Sequence, residues 1–530
     1  MLKIPIAILA FGAAAEGADT TAPAAAPAQT TGGGMRFVIA DMRLEAEALI
    51  LEQGLRAWEN RVYGDPVDIA QTYAGHERLF SPEAIAAVGK AADDAADPRE
   101  KKALRYLRRY LLAEHVDKAV APLSDAIRNT ESGAEIELDG AKVPFPQLPV
   151  LLAVEADRAK RQRISDAALP VLETIEPIQL EKGEQSRRLA RRLGFDSYNA
   201  LSEELRGFSL AALSLQCEQI LSATETAYAA LLGAVTREFM GVPPERFRRC
   251  DVARLFHLDR YRACFPAEGL VPSVSATLAG LGIDLKGQRN ILIHDEPLPK
   301  KNPRAACFGL KVPEDIRLTV KPSGGVPDYE TLLHEMGHAQ HFANTNTDHF
   351  EFAQLGDNTV TEAYAFLFEE LMDDPAWVGE RTAFPPKELE SYLRFRRFSR
   401  IYFARRYAAK ILYERELHAG VPNPKQRYRT ILSRAYGFPL DDNDAARYLS
   451  DVDDYYYAAD YLRAWFLKAQ LLETLRARFG ARWFASPAAG AFLKSLWAYG
   501  QERNGDELAR DLGYRGLDPG PFLRTMAETR

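Results

Sequence analysis

From Met42 onward, apolar residues recur three and four apart along almost the whole chain, which leaves room for little besides helices. The stretch "MRLEAEALILEQGLRAWENRVY" (42–63) carries this period, and "EKKALRYLRRYLLAEHV" (100–116) repeats it. The same spacing predicts helices over 150–169, 184–193 and 210–240, with Pro170 ending or kinking the first. Gly241-Val242-Pro243-Pro244 reads as a break between helices, and no repeat of fixed period is present. One region differs. In "RAACFGLKVPEDIRLTVKPSGG" (304–325), Ile316, Leu318 and Val320 alternate with polar residues, which is strand periodicity. Residues 306–312 read as the preceding strand, with Pro313-Glu314 at the turn.

A chain of 530 residues that is 47% hydrophobic holds more apolar material than one compact unit usually buries, so two lobes are expected. The net charge of −7 argues against a nucleic-acid partner, which needs a clustered basic face. The basic run Arg105-Tyr106-Leu107-Arg108-Arg109-Tyr110 reads as a solvated helix face, because Leu104, Leu107 and Leu111 recur through it at helical spacing. Cys217, Cys250, Cys264 and Cys307 are scattered, with no Cys-x-x-Cys pair for a thiolate metal site. A Cys250–Cys264 bridge stays open.

The first 34 residues have the features of a leader and flexible linker. One lysine precedes an apolar run from Ile4 to Phe11, and Ala13-Ala14-Ala15 offers a small-residue cleavage site. This pattern predicts a periplasmic or secreted protein. The alternative is a cytoplasmic protein whose functional start is Met35. The run is too short to span a bilayer.

The chemistry concentrates in "TLLHEMGHAQH" (331–341). On a helix, His334 and His338 project from one face, and two imidazoles so placed can ligate one zinc ion. Glu335 is positioned as a general base for water at such an ion. Asp328 is placed to cap the helix. A catalytic zinc needs a third protein ligand. A third histidine six residues after His338 is excluded, since Asn344 stands there. Glu362 follows His334 by 28 residues on the next predicted helix, with Asp357 or Thr359 as its cap. Glu369, seven residues further along the same face, is the rival, while Glu351 and Asp348 fall in the connecting loop. His341 is read as a partner that steadies the site, or else as a packing residue.

"HEMGH" with this downstream glutamate, the segment "TEAYAFLFEELM" and the small sheet before the motif resemble the α-helical gluzincin peptidases. The closest resemblance is to the thimet oligopeptidase/oligoendopeptidase F family, related to the angiotensin-converting-enzyme family. It covers about 307–370, with a weaker echo in "DVDDYYYAADYLRAWFLKAQL" (451–471). The resemblance implies a mostly helical, two-lobed fold split by a deep channel, with an N-terminal lobe over about 35–300 and a catalytic lobe over about 301–530. It implies one zinc per chain, held by His334, His338 and Glu362, with Glu335 as base and short peptides as substrates. The strand at Ala305–Gly309 then either pairs with extended peptide or is a plain structural hairpin. Tyr457 or Tyr461 becomes the oxyanion donor, with Tyr455 and Tyr456 as neighbouring candidates and tyrosine packing as the alternative. The family also carries a histidine before these tyrosines. Here the last histidine is His418, and Asp451, Asp453 and Asp454 occupy that place. Arg463 is read as a carboxylate clamp or a salt-bridge partner. Three functions remain open: an oligopeptidase, a peptidyl-dipeptidase or carboxypeptidase on the same scaffold, and a non-catalytic zinc or peptide binder.

Overall fold

The computed structural model describes residues 37–65 and 69–527, so the leader expectation lies outside the described residues. Helices dominate, as the apolar period predicts. The first runs Ile39–Tyr63 and stops at Gly64, whose φ of 75° suits a residue without a Cβ. The second long helix, Pro98–Gly133, starts under an Asp97 carboxylate that accepts the Arg99 and Glu100 N–H groups. It buries Leu104, Leu107 and Leu111. A third long helix, Leu169–Arg192, packs against the second.

Two sequence expectations are corrected. The helix expected over 150–169 is two, Leu148–Val154 and Arg158–Asp166, because Asp157 caps a new start. Pro170 neither ends nor kinks it. It sits in the first turn of the next helix, where the missing N–H leaves no bond unmade. The helix expected over 210–240 is divided at Thr224 into Leu210–Ala223 and Glu225–Met240.

The sheet before the motif is present and larger than expected. A hairpin, β1 (Glu135–Leu138) with β2 (Ala141–Pro144), stands apart from it. β3 (Ile291–His294) pairs parallel with β5 (Asp315–Thr319), and β4 (Ala306–Lys311) pairs antiparallel with β5, giving the order β3-β5-β4. The hairpin and β3 were not expected, since four-residue strands are too short to display a period.

The largest apolar core gathers residues between Leu210 and Met526, and smaller cores are built mainly by the helices before Gly207. Between them runs a cavity of about 980 Å³, lined from the N-terminal side by Ile127 and Lys182 and from the C-terminal side by His334 and Tyr457. The motif helix, Val326–Ala343, is buried without a break from Leu332 to Phe342. It crosses the next helix, Asn358–Glu369, at very close range: a Cβ on Gly337 would lie 2.5 Å from the Ala365 Cα. All four cysteines are free, so the possible Cys250–Cys264 bridge is absent. Among the described residues, no helix is long and apolar enough to cross a membrane.

Candidate metal centre

Two helix starts set the site. Gly325 leads into the motif helix, and Asp328 turns back to accept the Ser323 and Gly324 N–H groups at 2.7 and 2.8 Å. It thus pins the loop before the helix instead of capping the helix itself. Of the two candidate caps on the following helix, Asp357 does the work. One oxygen accepts the Thr359 N–H, and the other accepts the Gly505 N–H at 2.9 Å.

These helices bring His334, His338 and Glu362 together. The two Nε2 atoms are 3.2 Å apart, and Glu362 Oε2 lies 3.4 Å from the first and 3.7 Å from the second. A zinc ion bound tetrahedrally at about 2.0–2.2 Å requires donor separations of about 3.3–3.6 Å. The triangle therefore fits one such ion. Glu362 Oε2 is buried and makes no hydrogen bond among the described residues, an expensive state for a carboxylate oxygen unless a cation occupies the centre.

The far nitrogens are held as metal ligands usually are. His334 Nδ1 lies 3.0 Å from Glu369 Oε2, and His338 Nδ1 lies 2.8 Å from Thr361 Oγ1. Glu369, the rival third ligand, thus sits behind His334. Glu351 pairs with Arg43 and Asp348 with Arg99, both away from the triangle. Thr361 was missed in the sequence. Its only signal is that it precedes Glu362, and so shares that helix turn.

The two imidazoles are pushed in opposite directions. Burial opposes a charged His334, but Glu362 and Glu369 outweigh it and hold that pKa well above its usual value. Burial, followed by the positive neighbour His334, drives His338 well below its own.

Glu335 is fully buried beside the triangle. Its Oε2 accepts the Cys307 N–H of β4 at 2.8 Å, while Oε1 has no partner. Burial raises this carboxyl to about 7, against opposing pulls from His334, the Cys307 amide and Arg61. β4 is an edge strand, yet part of its edge is already engaged: Cys307 N–H serves Glu335, and Arg61 Nη2 donates to the carbonyls of Arg304 and Ala305. The Ala305–Gly309 edge is therefore not a wholly free peptide-pairing surface.

The four tyrosines separate. Tyr457 opens the helix Tyr457–Phe479, and its hydroxyl bonds Glu362 Oε1 at 3.0 Å. Tyr461 stands one turn on, ring to ring with Tyr457 at 5.0 Å and stacked on Tyr407, and both Tyr457 and Tyr461 line the cavity. Tyr455 bonds Asp117 and Tyr456 bonds Asn199, so neither faces the triangle. Both have positive φ, 52° and 59°, a strained pair at the entry to this helix. Arg463 is tied to Asp506 at 2.9 Å, the salt-bridge reading. His341 Nε2–H donates to the Gly500 carbonyl at 3.0 Å, and the ring packs on Tyr364. His418 lies against Tyr198 and Tyr456.

One cation was missed: Arg304, just before β4, lines the cavity with His334 and Tyr461. Burial lowers its pKa, and the charges of Glu335 and Tyr461 act on it in opposition. No local pattern marks Arg304, since its role depends on β4 lying beside the motif helix.

The structure is mostly helical, with a small sheet beside the buried His-Glu-x-x-His helix. Two solved structures share this fold. One is a protein from Bacillus anthracis str. Ames provisionally described as oligoendopeptidase F. It is 15% identical with a TM-score of 0.65, over 91% of this chain and 88% of its own. A second structure, also provisionally described as oligoendopeptidase F, is 16% identical with a TM-score of 0.68, over 92% and 90%. No protein-family model matches the sequence, and no curated protein matches it.

Proposed function

We propose that this protein is a zinc-dependent oligopeptidase. The observation that carries the reading is the triangle of His334 Nε2, His338 Nε2 and Glu362 Oε2, sized for one zinc and set beside a buried glutamate with one oxygen free. The shared fold with the two oligoendopeptidase F structures supports it.

When bound, zinc would supply Lewis-acid polarisation of the scissile carbonyl and of water. The chain's own residues do the rest. Glu335 Oε1 takes a proton from the attacking water and passes it to the leaving amine, while the Cys307 N–H holds Oε2 in place. A carboxyl raised to about 7 is suited to both halves of that transfer. Tyr461 donates to the carbonyl oxygen as charge builds there, and Arg304 adds a positive charge on the same wall. Tyr457 steadies Glu362 through Oε1. A cavity of about 980 Å³ is consistent with short, extended peptides as substrates.

A second reading, removal of residues from a peptide's C-terminus, draws on Arg304 as a carboxylate clamp. The test is a mixed peptide library with free and amidated C-termini, read by mass spectrometry alongside zinc content. One zinc per chain with internal cleavage of both forms supports the oligopeptidase. Cleavage confined to free C-termini supports the second reading, and zinc without hydrolysis would reject both. The leader pattern supports export. Mass analysis of the mature protein from its host tests this, since an intact N-terminus would contradict it.

A further inference from the structure

Away from the catalytic cavity, a second cavity of about 350 Å³ opens on the helix Pro98–Gly133. Its walls carry Lys101, Lys102, Arg105 and Arg109, with Tyr106, Asn504 and Glu507 completing them. Lys101, Arg105 and Arg109 are spaced by four residues, so three like charges stand along one face of the helix. Such an arrangement destabilises a helix unless counter-charges answer it.

The protein's own counter-charges answer it in part. Lys102 pairs with Glu507, and Arg109 Nε lies 3.8 Å from Glu204. Lys101 donates only to the Asp93 carbonyl, at 3.5 Å, and Arg105 makes no ion pair among the described residues. An independent feature points to a ligand. Tyr106 is only 4% exposed and lines the cavity; its hydroxyl has no hydrogen-bond partner among the described residues, and the charges of Asp357, Glu507 and Glu502 act on it. A buried hydroxyl left this way costs free energy that a bound acceptor would recover. The neighbouring Arg109 Nε is likewise buried and unbonded.

We propose that this cavity binds the phosphoryl group of a small phosphate ester. Four cationic side chains and a phenol suit a dianion with several acceptor oxygens. The volume exceeds what the phosphoryl group alone fills, which leaves room for a small organic remainder. A chain with a net charge of −7 keeps this group of cations together against its overall sign.

Calorimetric titration with glycerol phosphate and with inorganic phosphate, at fixed ionic strength, tests the proposal. Wild-type protein is expected to bind one glycerol phosphate per chain, more tightly than inorganic phosphate. Exposed Arg105 tolerates replacement, so Lys101→Ala with Arg105→Ala is expected to weaken binding by about tenfold or more. Tyr106→Phe, which removes only the hydroxyl, should weaken it several-fold. Metal-free protein prepared with a chelator must bind equally well, which separates this cavity from the catalytic one. Absence of binding by wild type, equal binding by the double variant, or loss of binding with the metal would each overturn the proposal. Inorganic phosphate binding as tightly as the ester would overturn the ester assignment.

Discussion

Glu369 and Glu362 approach His334 from opposite sides of its ring, the first 3.0 Å from Nδ1 and the second 3.4 Å from Nε2. Two carboxylates on one helix thus have different tasks on one imidazole. Glu369→Gln should keep a metal site but weaken zinc affinity by about 10- to 100-fold. Glu362→Gln should weaken it further, because a ligand is lost. Zinc competition against a chelator of known affinity measures both, and equal effects would contradict the assignment.

Gly337, inside the motif itself, lets the two ligand-bearing helices touch. A methyl group there meets the Ala365 Cα at 2.5 Å, a backbone atom that cannot swing aside. Gly337→Ala should therefore cost about 1–3 kcal/mol or more. It should also weaken zinc binding by spreading His338 from Glu362. Denaturant unfolding and zinc titration check the two effects, and a variant with wild-type values in both would refute the close approach.

Tyr457 and Tyr461 should separate on the same measurements. Loss of the Tyr457 hydroxyl removes the hydrogen bond to Glu362 Oε1, so Tyr457→Phe should lower zinc affinity. Tyr461→Phe should leave zinc bound and reduce kcat by about 100- to 1,000-fold, the usual cost of an oxyanion donor. A normal kcat for Tyr461→Phe would remove it from the mechanism.

Stability should fall with rising pH through a group far from the metal. Glu114 is buried against Tyr73 and Tyr110, with Asp117 nearby, and burial raises its carboxyl to about 8. The folded state keeps this proton where the unfolded chain has released it, so folding binds a proton between the two values. That contribution is complete below the ordinary glutamate pKa and is lost as pH climbs through about 8. Urea unfolding should show wild type losing on the order of 2–4 kcal/mol more than Glu114→Gln between about pH 6 and about pH 9. Parallel profiles for the two proteins would contradict this.

The clustering of His334, His338 and Glu362 was legible because its geometry is largely local. His334, Glu335 and His338 share a turn and a half of one helix, and Glu362 lies on the next helix with a capping Asp357 before it. Its supports were harder to read. Glu369 was weighed as a ligand because sequence gives the face but not the ring nitrogen it meets. Cys307 bonds Glu335, and Arg61 and Arg304 act on it by charge, only once the first helix and β4 lie against the motif helix. The hydrogen bond from the Tyr457 hydroxyl to Glu362 Oε1 joins residues 95 apart, which no local pattern announces. The helix break at Thr224 has no proline or glycine to announce it, and β3 is only four residues long.

Glu335→Gln tests the central claim most directly, since it alters the proton carrier and none of the three ligands. Zinc content and cleavage of a mixed peptide library, measured on the same preparation, should show one zinc per chain, as in wild type, and hydrolysis reduced by several orders of magnitude. Turnover at the wild-type rate by this zinc-loaded variant would contradict the account.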